Sequence, residues 1–93
     1  MSKYYTGDTV PLGFTITDDL GGVEPSDVKV VILNPLHEST NPVDATIDVN
    51  EVSYFVPGTV TILSGLYSAF FICTLTYGER THRIDFRIED NPS

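Results

Sequence analysis

The last third of the chain, from Ser64 to Glu89, limits the fold more than any other stretch. It opens Gly65-Leu66-Tyr67, runs on to Tyr77, turns at Gly78-Glu79-Arg80, and runs again to Ile88. A period of two marks a strand with one buried face, and two such runs around a glycine turn make a hairpin. Tyr67, Ala69, Phe71, Cys73, Leu75 and Tyr77 share one face of the first run. His82, Ile84, Phe86 and Ile88 form the inward face of the second, while Arg83, Asp85 and Arg87 point outward.

The rest of the chain divides into short segments between glycines, prolines and asparagines. Val10 to Thr17 alternates, with Val10, Leu12, Phe14 and Ile16 on one side. Pro11, on the other side, has no N–H, which predicts a sheet edge or a strand start. Asp18-Asp19-Leu20-Gly21-Gly22 reads as a turn. Val28 to Leu33 is a nearly continuous aliphatic run, which reads as a central strand buried on both faces or a strand whose outer face meets a partner. Ala45, Ile47 and Val49 alternate, Asn50-Glu51 turns, and Val52 to Val56 returns as the hairpin partner. Thr59 to Leu63 reads as a loop plugging the core with Val60 and Leu63. No stretch of ten residues has a helical period. The expectation is an all-β, antiparallel sandwich of six to eight strands, with residues 1–93 forming one domain.

Composition supports a folded chain. With 93 residues, 41% hydrophobic and 19% charged, it falls in the ordinary globular range. A chain of this size buries roughly 60–65% of its unfolded surface, which leaves little core for an enclosed active site. The net charge of −8 comes from 13 acids against 5 bases, and the acids form no block. Such a surface repels nucleic acid and anionic lipid. Only one cysteine is present, so no internal disulfide is possible, and Cys73 is expected to be a buried structural thiol. The start Met1-Ser2-Lys3-Tyr4-Tyr5 has no apolar run of a secretory signal, which predicts synthesis and retention in a cytoplasm until assembly.

No group of residues reads as a catalytic or metal centre. Two histidines, His37 and His82, and one cysteine do not make a zinc motif. Nucleophile elbow, phosphate loop and HExxH patterns are all missing. Asp18, Asp19, Asp27, Asp44 and Asp48 fall at strand ends or loops, where a sandwich can gather calcium ligands. Turn aspartates more often bond backbone, so neither metal nor cofactor is assigned, and no enzymatic activity is expected.

The residues that call for a partner are Phe70 and Ile72. They lie out of phase with the core face of their strand, so two large apolar groups fall on its outer face. Cover by Leu20 or Leu36 is one account of them; contact with another subunit is the other. Tyr4 and Tyr5, ahead of the first clear strand, are candidates to pair with a neighbouring subunit's edge. The longest polar stretch, Leu36 to Asp44, supplies a candidate contact loop in Leu36, His37, Glu38 and Asn41.

Three stretches carry a resemblance: Gly7-Asp8-Thr9, Val52-Ser53-Tyr54-Phe55-Val56-Pro57 and Gly65-Leu66-Tyr67-Ser68-Ala69-Phe70. Together they resemble small immunoglobulin-like domains of tailed-phage virion proteins, such as the amino-terminal domain of baseplate upper proteins. Tyr67 is similar to the tyrosine corner of Greek-key sandwiches, whose hydroxyl bonds backbone upstream. The chain departs from antibody-type domains in lacking the paired cysteines and core tryptophan. The resemblance implies an immunoglobulin-like Greek-key fold. It also implies a structural role in a virion on capsid, neck or tail, with partners in other copies of the chain and other virion proteins. A stand-alone carbohydrate- or ligand-binding module is the alternative.

Overall fold

The computed structural model describes residues 4–18, 21–22, 25–75 and 78–90. Among them ten strands form: β1 Tyr4–Tyr5, β2 Val10–Thr15, β3 Thr17–Asp18, β4 Gly21–Gly22, β5 Asp27–Leu33, β6 Val43–Asp44, β7 Thr46–Asp48, β8 Glu51–Val56, β9 Gly65–Leu75 and β10 Gly78–Glu89. Asp19, Leu20, Thr76 and Tyr77 lie outside the described residues. The strand count exceeds the expected six to eight because β1, β3, β4 and β6 have only two residues each, too few to show a period.

Five strands form one sheet in the order β1-β10-β9-β5-β6, three form a second in the order β2-β8-β7, and β3-β4 stands as a small ribbon. The larger sheet is mixed. Tyr4 and Tyr5 pair in parallel with Ile88 and Glu89, which corrects the expectation of antiparallel pairing throughout. After β1 the chain crosses through Gly7 and Asp8 to the other sheet, where β2 pairs with β8 from Val10↔Val56 to Thr15↔Glu51.

The core follows the period-two pattern. Val10, Leu12 and Ile16 from one side meet Val28, Val30, Ile32, Tyr67, Phe71 and Cys73 from the other, joined by Phe86 and Ile88. Phe14 bridges the sheets, edge-on to Phe71 with ring centres 5.0 Å apart. In β9, Tyr67, Ala69, Phe71, Cys73 and Leu75 are all buried, as alternation requires. In β5 only the even residues are buried; Lys29, Val31 and Leu33 are half-covered on the outer face.

The closing hairpin turns earlier than the sequence implies. Gly78, Glu79 and Arg80 are strand residues, opposite Leu75, Thr74 and Cys73, and Gly78 takes the positive φ of 135° as the strand begins. The β7–β8 turn is likewise shifted, to Val49-Asn50 between the paired Asp48 and Glu51. Residues 57–64 form a loop, and Val60 packs on the core as expected. The deepest residue of that loop is Thr61, fully buried, rather than Leu63. The Thr61 hydroxyl donates to the Asp8 carbonyl at 2.7 Å, and its own carbonyl accepts from the Gly7 N–H at 3.0 Å. Satisfied in this way, a hydroxyl can be buried without penalty.

Tyr67 makes the bonds expected of a tyrosine corner. Its ring is fully buried and stacks on Phe86 with centres 5.2 Å apart. Its hydroxyl accepts from the Leu63 N–H at 3.1 Å and lies 2.8 Å from the Leu63 carbonyl, to which it donates.

Candidate interaction surfaces

The outer face of the larger sheet is built by register. Phe70 stands between Arg83 and Val31, Ile72 between Thr81 and Lys29, and Ser68 between Asp85 and Leu33. Phe70 and Ile72 are half-buried rather than bare. The Arg83 guanidinium carbon sits 5.6 Å from the Phe70 ring centre, a cation–π cover from within the sheet. The cover therefore comes from a cross-strand neighbour. Leu36 is itself 65% exposed, and Leu20 lies outside the described residues.

Arg83 is held in that pose by a polar clasp. Its Nε donates to Asp85 Oδ1 at 2.8 Å, its Nη2 lies 3.3 Å from Ser68 Oγ, and Ser68 Oγ donates to the same Asp85 oxygen at 2.9 Å. The Arg83 hydrogen bond, followed by that from Ser68, holds the Asp85 carboxyl below its ordinary value. Lys29 pairs with Asp44 across β5 and β6, and this hydrogen bond raises its pKa.

The expected contact loop is an ordered turn at its start. Asn34 Oδ1 accepts from the N–H groups of Leu36 and Glu38, at 3.0 and 2.9 Å, and Asn34 Nδ2 donates to Glu38 Oε1 at 3.1 Å. Thr40 then extends the pairing, its N–H donating to the Ile32 carbonyl and its hydroxyl accepting from the Ile32 N–H. The side chain of one asparagine thus orders the start of this polar stretch. His37 has a φ of 64° and lines a hollow of about 240 Å³ with Leu33, Pro35, Leu66 and Arg83. The turn thus meets the outer face at Leu66, which is 51% exposed. Leu36 and Asn41 are exposed nearby in sequence, and Glu38 is committed to the turn.

Tyr4 and Tyr5 are half-buried and pair on one side with the chain's own β10, as the edge strand of the larger sheet. Sequence reading also passed over Phe55 and Ile62, 67% and 66% exposed. Phe55 sits opposite Pro11 on the outer face of the smaller sheet. Its odd position in an otherwise buried Val52–Val56 alternation was the available signal.

At the open side of the two sheets, Phe14, Thr15 and Thr17 face Arg80 and His82 across a groove of about 360 Å³. His82 stacks on Phe14 with ring centres 4.1 Å apart, and Arg80 Nη1 donates to the Thr17 carbonyl at 3.2 Å. Cys73 lies beneath, fully buried, and desolvation raises its thiol pKa. Among the described residues no three His, Cys, Asp or Glu side chains come together as metal ligands. Asp19 lies outside the described residues.

No family model matches this chain, and no curated protein matches it in sequence.

Proposed function

We propose that this chain is a non-enzymatic assembly subunit with an immunoglobulin-like fold, a structural virion protein of a tailed virus that binds copies of itself and other virion proteins on capsid, neck or tail. The observation that carries the assembly role is the outer face of the larger sheet. Leu66, Phe70 and Ile72 of β9 lie beside Val31 and Leu33 of β5, and the row is only partly covered. Complete burial of a large apolar side chain contributes about 1.5–3 kcal/mol, and residues already half-covered retain a fraction of that for a partner.

The strand order supports the immunoglobulin-like part of the reading. A five-strand sheet β1-β10-β9-β5-β6 facing β2-β8-β7 agrees with the order of such sandwiches, the chain crossing between layers after β1, between β2 and β5, after β6 and after β8. The parallel pairing of the first strand with the last and the Tyr67 hydroxyl bonds agree with it. The virion part rests on the resemblance of the Gly7, Val52 and Gly65 stretches.

Two measurements test the proposal together. Solution mass at rising concentration is expected to exceed that of the 10.2 kDa monomer, and Phe70→Lys is expected to reduce association while leaving the thermal transition cooperative. Mass spectrometry of purified particles from the source virus is expected to find the chain. A strictly monomeric protein that is also missing from particles overturns the proposal.

A further inference from the structure

We propose that two copies of this chain pair through the open edges of β10, antiparallel about a two-fold axis at Thr81, so that Arg83 of each copy stands opposite Glu79 of the other. The inference rests on the reading of the chain as a self-associating subunit and names the edge and the register of one such contact.

The edge is long, regular and bare. β10 pairs with β9 without a bulge from Gly78↔Leu75 to Ile88↔Gly65, whereas β1 covers its other side only at Ile88 and Glu89. The Thr6 N–H donates to the Glu89 carbonyl at 3.0 Å, so the backbone of Glu89 faces the β1 side. Backbone direction alternates along a strand, which points the N–H and C=O groups of Glu79, Thr81, Arg83 and Asp85 the same way. Among the described residues none pairs with those groups. Every residue from Gly78 to Arg83 is exposed, so neither face of the strand shields the edge.

The other described edges do not match it. β1, β6 and β7 have two or three residues each. The Ile16 N–H donates to the Asn50 carbonyl, so even residues of β2 face β8 and Pro11, with no N–H, faces outward. The edge of equal length and intact donors that a second copy offers is β10 itself. A surface that meets its own copy in this way closes about a two-fold axis.

Charge and the position of β1 select the register. With the axis at Thr81, the two Thr81 residues oppose each other, and Arg83 opposes Glu79 on both sides of them, on the outer face. Arg83 gives Nε to Asp85 and brings Nη2 to Ser68, which leaves Nη1 for Glu79 of the second copy. Among the described residues the Glu79 carboxylate has no ion-pair partner within its own chain. Gly78 falls opposite Ile84, so each copy turns away short of the positions that Tyr4 and Tyr5 hold. Arg80 and His82 come opposite each other on the inner face, where Arg80 is bound to the Thr17 carbonyl and His82 is stacked on Phe14. An axis at Arg80 opposes two arginines over a shorter overlap, and an axis at His82 opposes Asp85 to Glu79 twice. An axis at Arg83 matches Glu79 with Arg87, but it opposes two arginines and puts Gly78 of the second copy beside Ile88, where Tyr4 already sits. Gly78 to Ile84 also holds two bases and one acid in a chain of net charge −8, so two copies that repel elsewhere meet along this stretch. The pairing joins the two larger sheets into one and brings their Phe70–Arg83 pairs side by side.

The test uses the full chain. The amide resonances of Glu79, Thr81 and Arg83 are expected to shift as protein concentration rises to about 1 mM, with slowed hydrogen exchange at the same sites. A mixture of labelled and unlabelled protein is expected to show an intermolecular contact between the Hα atoms of Arg80 and His82, which no other register brings opposite each other. Glu79→Arg and Arg83→Glu each set like charges opposite one another twice, and each is expected to weaken association ~10-fold. Their equimolar mixture restores opposite charges at both places and is expected to recover it. Should either variant fail to fold, the Arg80–His82 contact decides the register on the native chain. A mixture no more associated than either variant alone overturns the inference. So does association that leaves these amides unmoved, which returns the assembly reading to the outer face, where Phe70→Lys tests it. A chain still monomeric at about 1 mM overturns the inference as well, and the assembly reading then turns on the particle measurement. Slow exchange of the same amides in dilute monomer overturns it too, because the chain's own residues then cover the edge.

Discussion

The hydroxyl of Tyr67 donates to the carbonyl of Leu63 at 2.8 Å and accepts from the N–H of the same residue at 3.1 Å. One side chain thereby satisfies both backbone groups of a residue four positions upstream, fixing the loop that delivers the chain into β9. Tyr67→Phe keeps the ring and its stack on Phe86 but leaves these groups without their partner. The expected cost is about 1–3 kcal/mol. Urea denaturation is expected to show a lower midpoint at an unchanged slope; an unchanged midpoint refutes the role given to the hydroxyl.

Gly58 and Gly7 separate contact from conformation. A Cβ on Gly58 would lie 2.2 Å from the Gly7 carbonyl oxygen, a backbone atom that cannot swing aside. Gly58→Ala is expected to destabilise by about 1–3 kcal/mol through forced displacement of the β1–β2 crossing. A Cβ on Gly7 meets nothing within 4 Å, but its φ is +89°. Gly7→Ala is expected to cost only about 1 kcal/mol, from the backbone angle alone. Thermal unfolding of both variants checks the order, and a larger loss in Gly7→Ala contradicts it.

Val49 should be improvable. It occupies the β7–β8 turn at a φ of 56° with 64% of its surface exposed, a poor place for a β-branched side chain. Val49→Asn is expected to stabilise by about 1 kcal/mol, because asparagine accepts the left-handed region. A rise in thermal midpoint is the readout, and a fall counts against strain at this turn.

Acid should loosen the Ser68–Arg83–Asp85 clasp. The Asp85 carboxyl is held below its ordinary value, so the folded state favours its ionised form. Its contribution is complete above the ordinary aspartate value and shrinks as pH falls through the lower folded value, from about pH 4 downward. Direct titration of the carboxyl carbon should show the depression. Asp85→Asn is expected to flatten that part of the stability profile, and an unaltered profile excludes the clasp as its source.

The closing hairpin was legible because two long runs repeat a period of two, and Tyr67, Phe71, Cys73 and Leu75 land where that period puts them. Pro11 was legible for a different reason: a residue with no N–H fits an outward edge position, and there it sits. The parallel pairing of Tyr4 and Tyr5 was not legible, since two residues carry no pattern and their partners lie more than eighty residues away. The turn that opens the Leu36–Asp44 stretch was not legible, because it depends on one side chain, Asn34, bonding backbone ahead of it. Phe70 and Ile72 were placed on the outer face; the cover of Phe70 by Arg83 depends on cross-strand register, which hydropathy does not encode.

The side-by-side, parallel arrangement of Tyr4–Tyr5 and Ile88–Glu89 has a mechanical meaning. Tension applied to the chain before Tyr4 and after Glu89 pulls these strands along their length in opposite directions. Their hydrogen bonds are then loaded together in shear, instead of being unzipped one at a time. Load passing through the chain meets this short patch before it reaches the core, so the first yield under force is release of β1, with the β9–β10 hairpin still intact behind it.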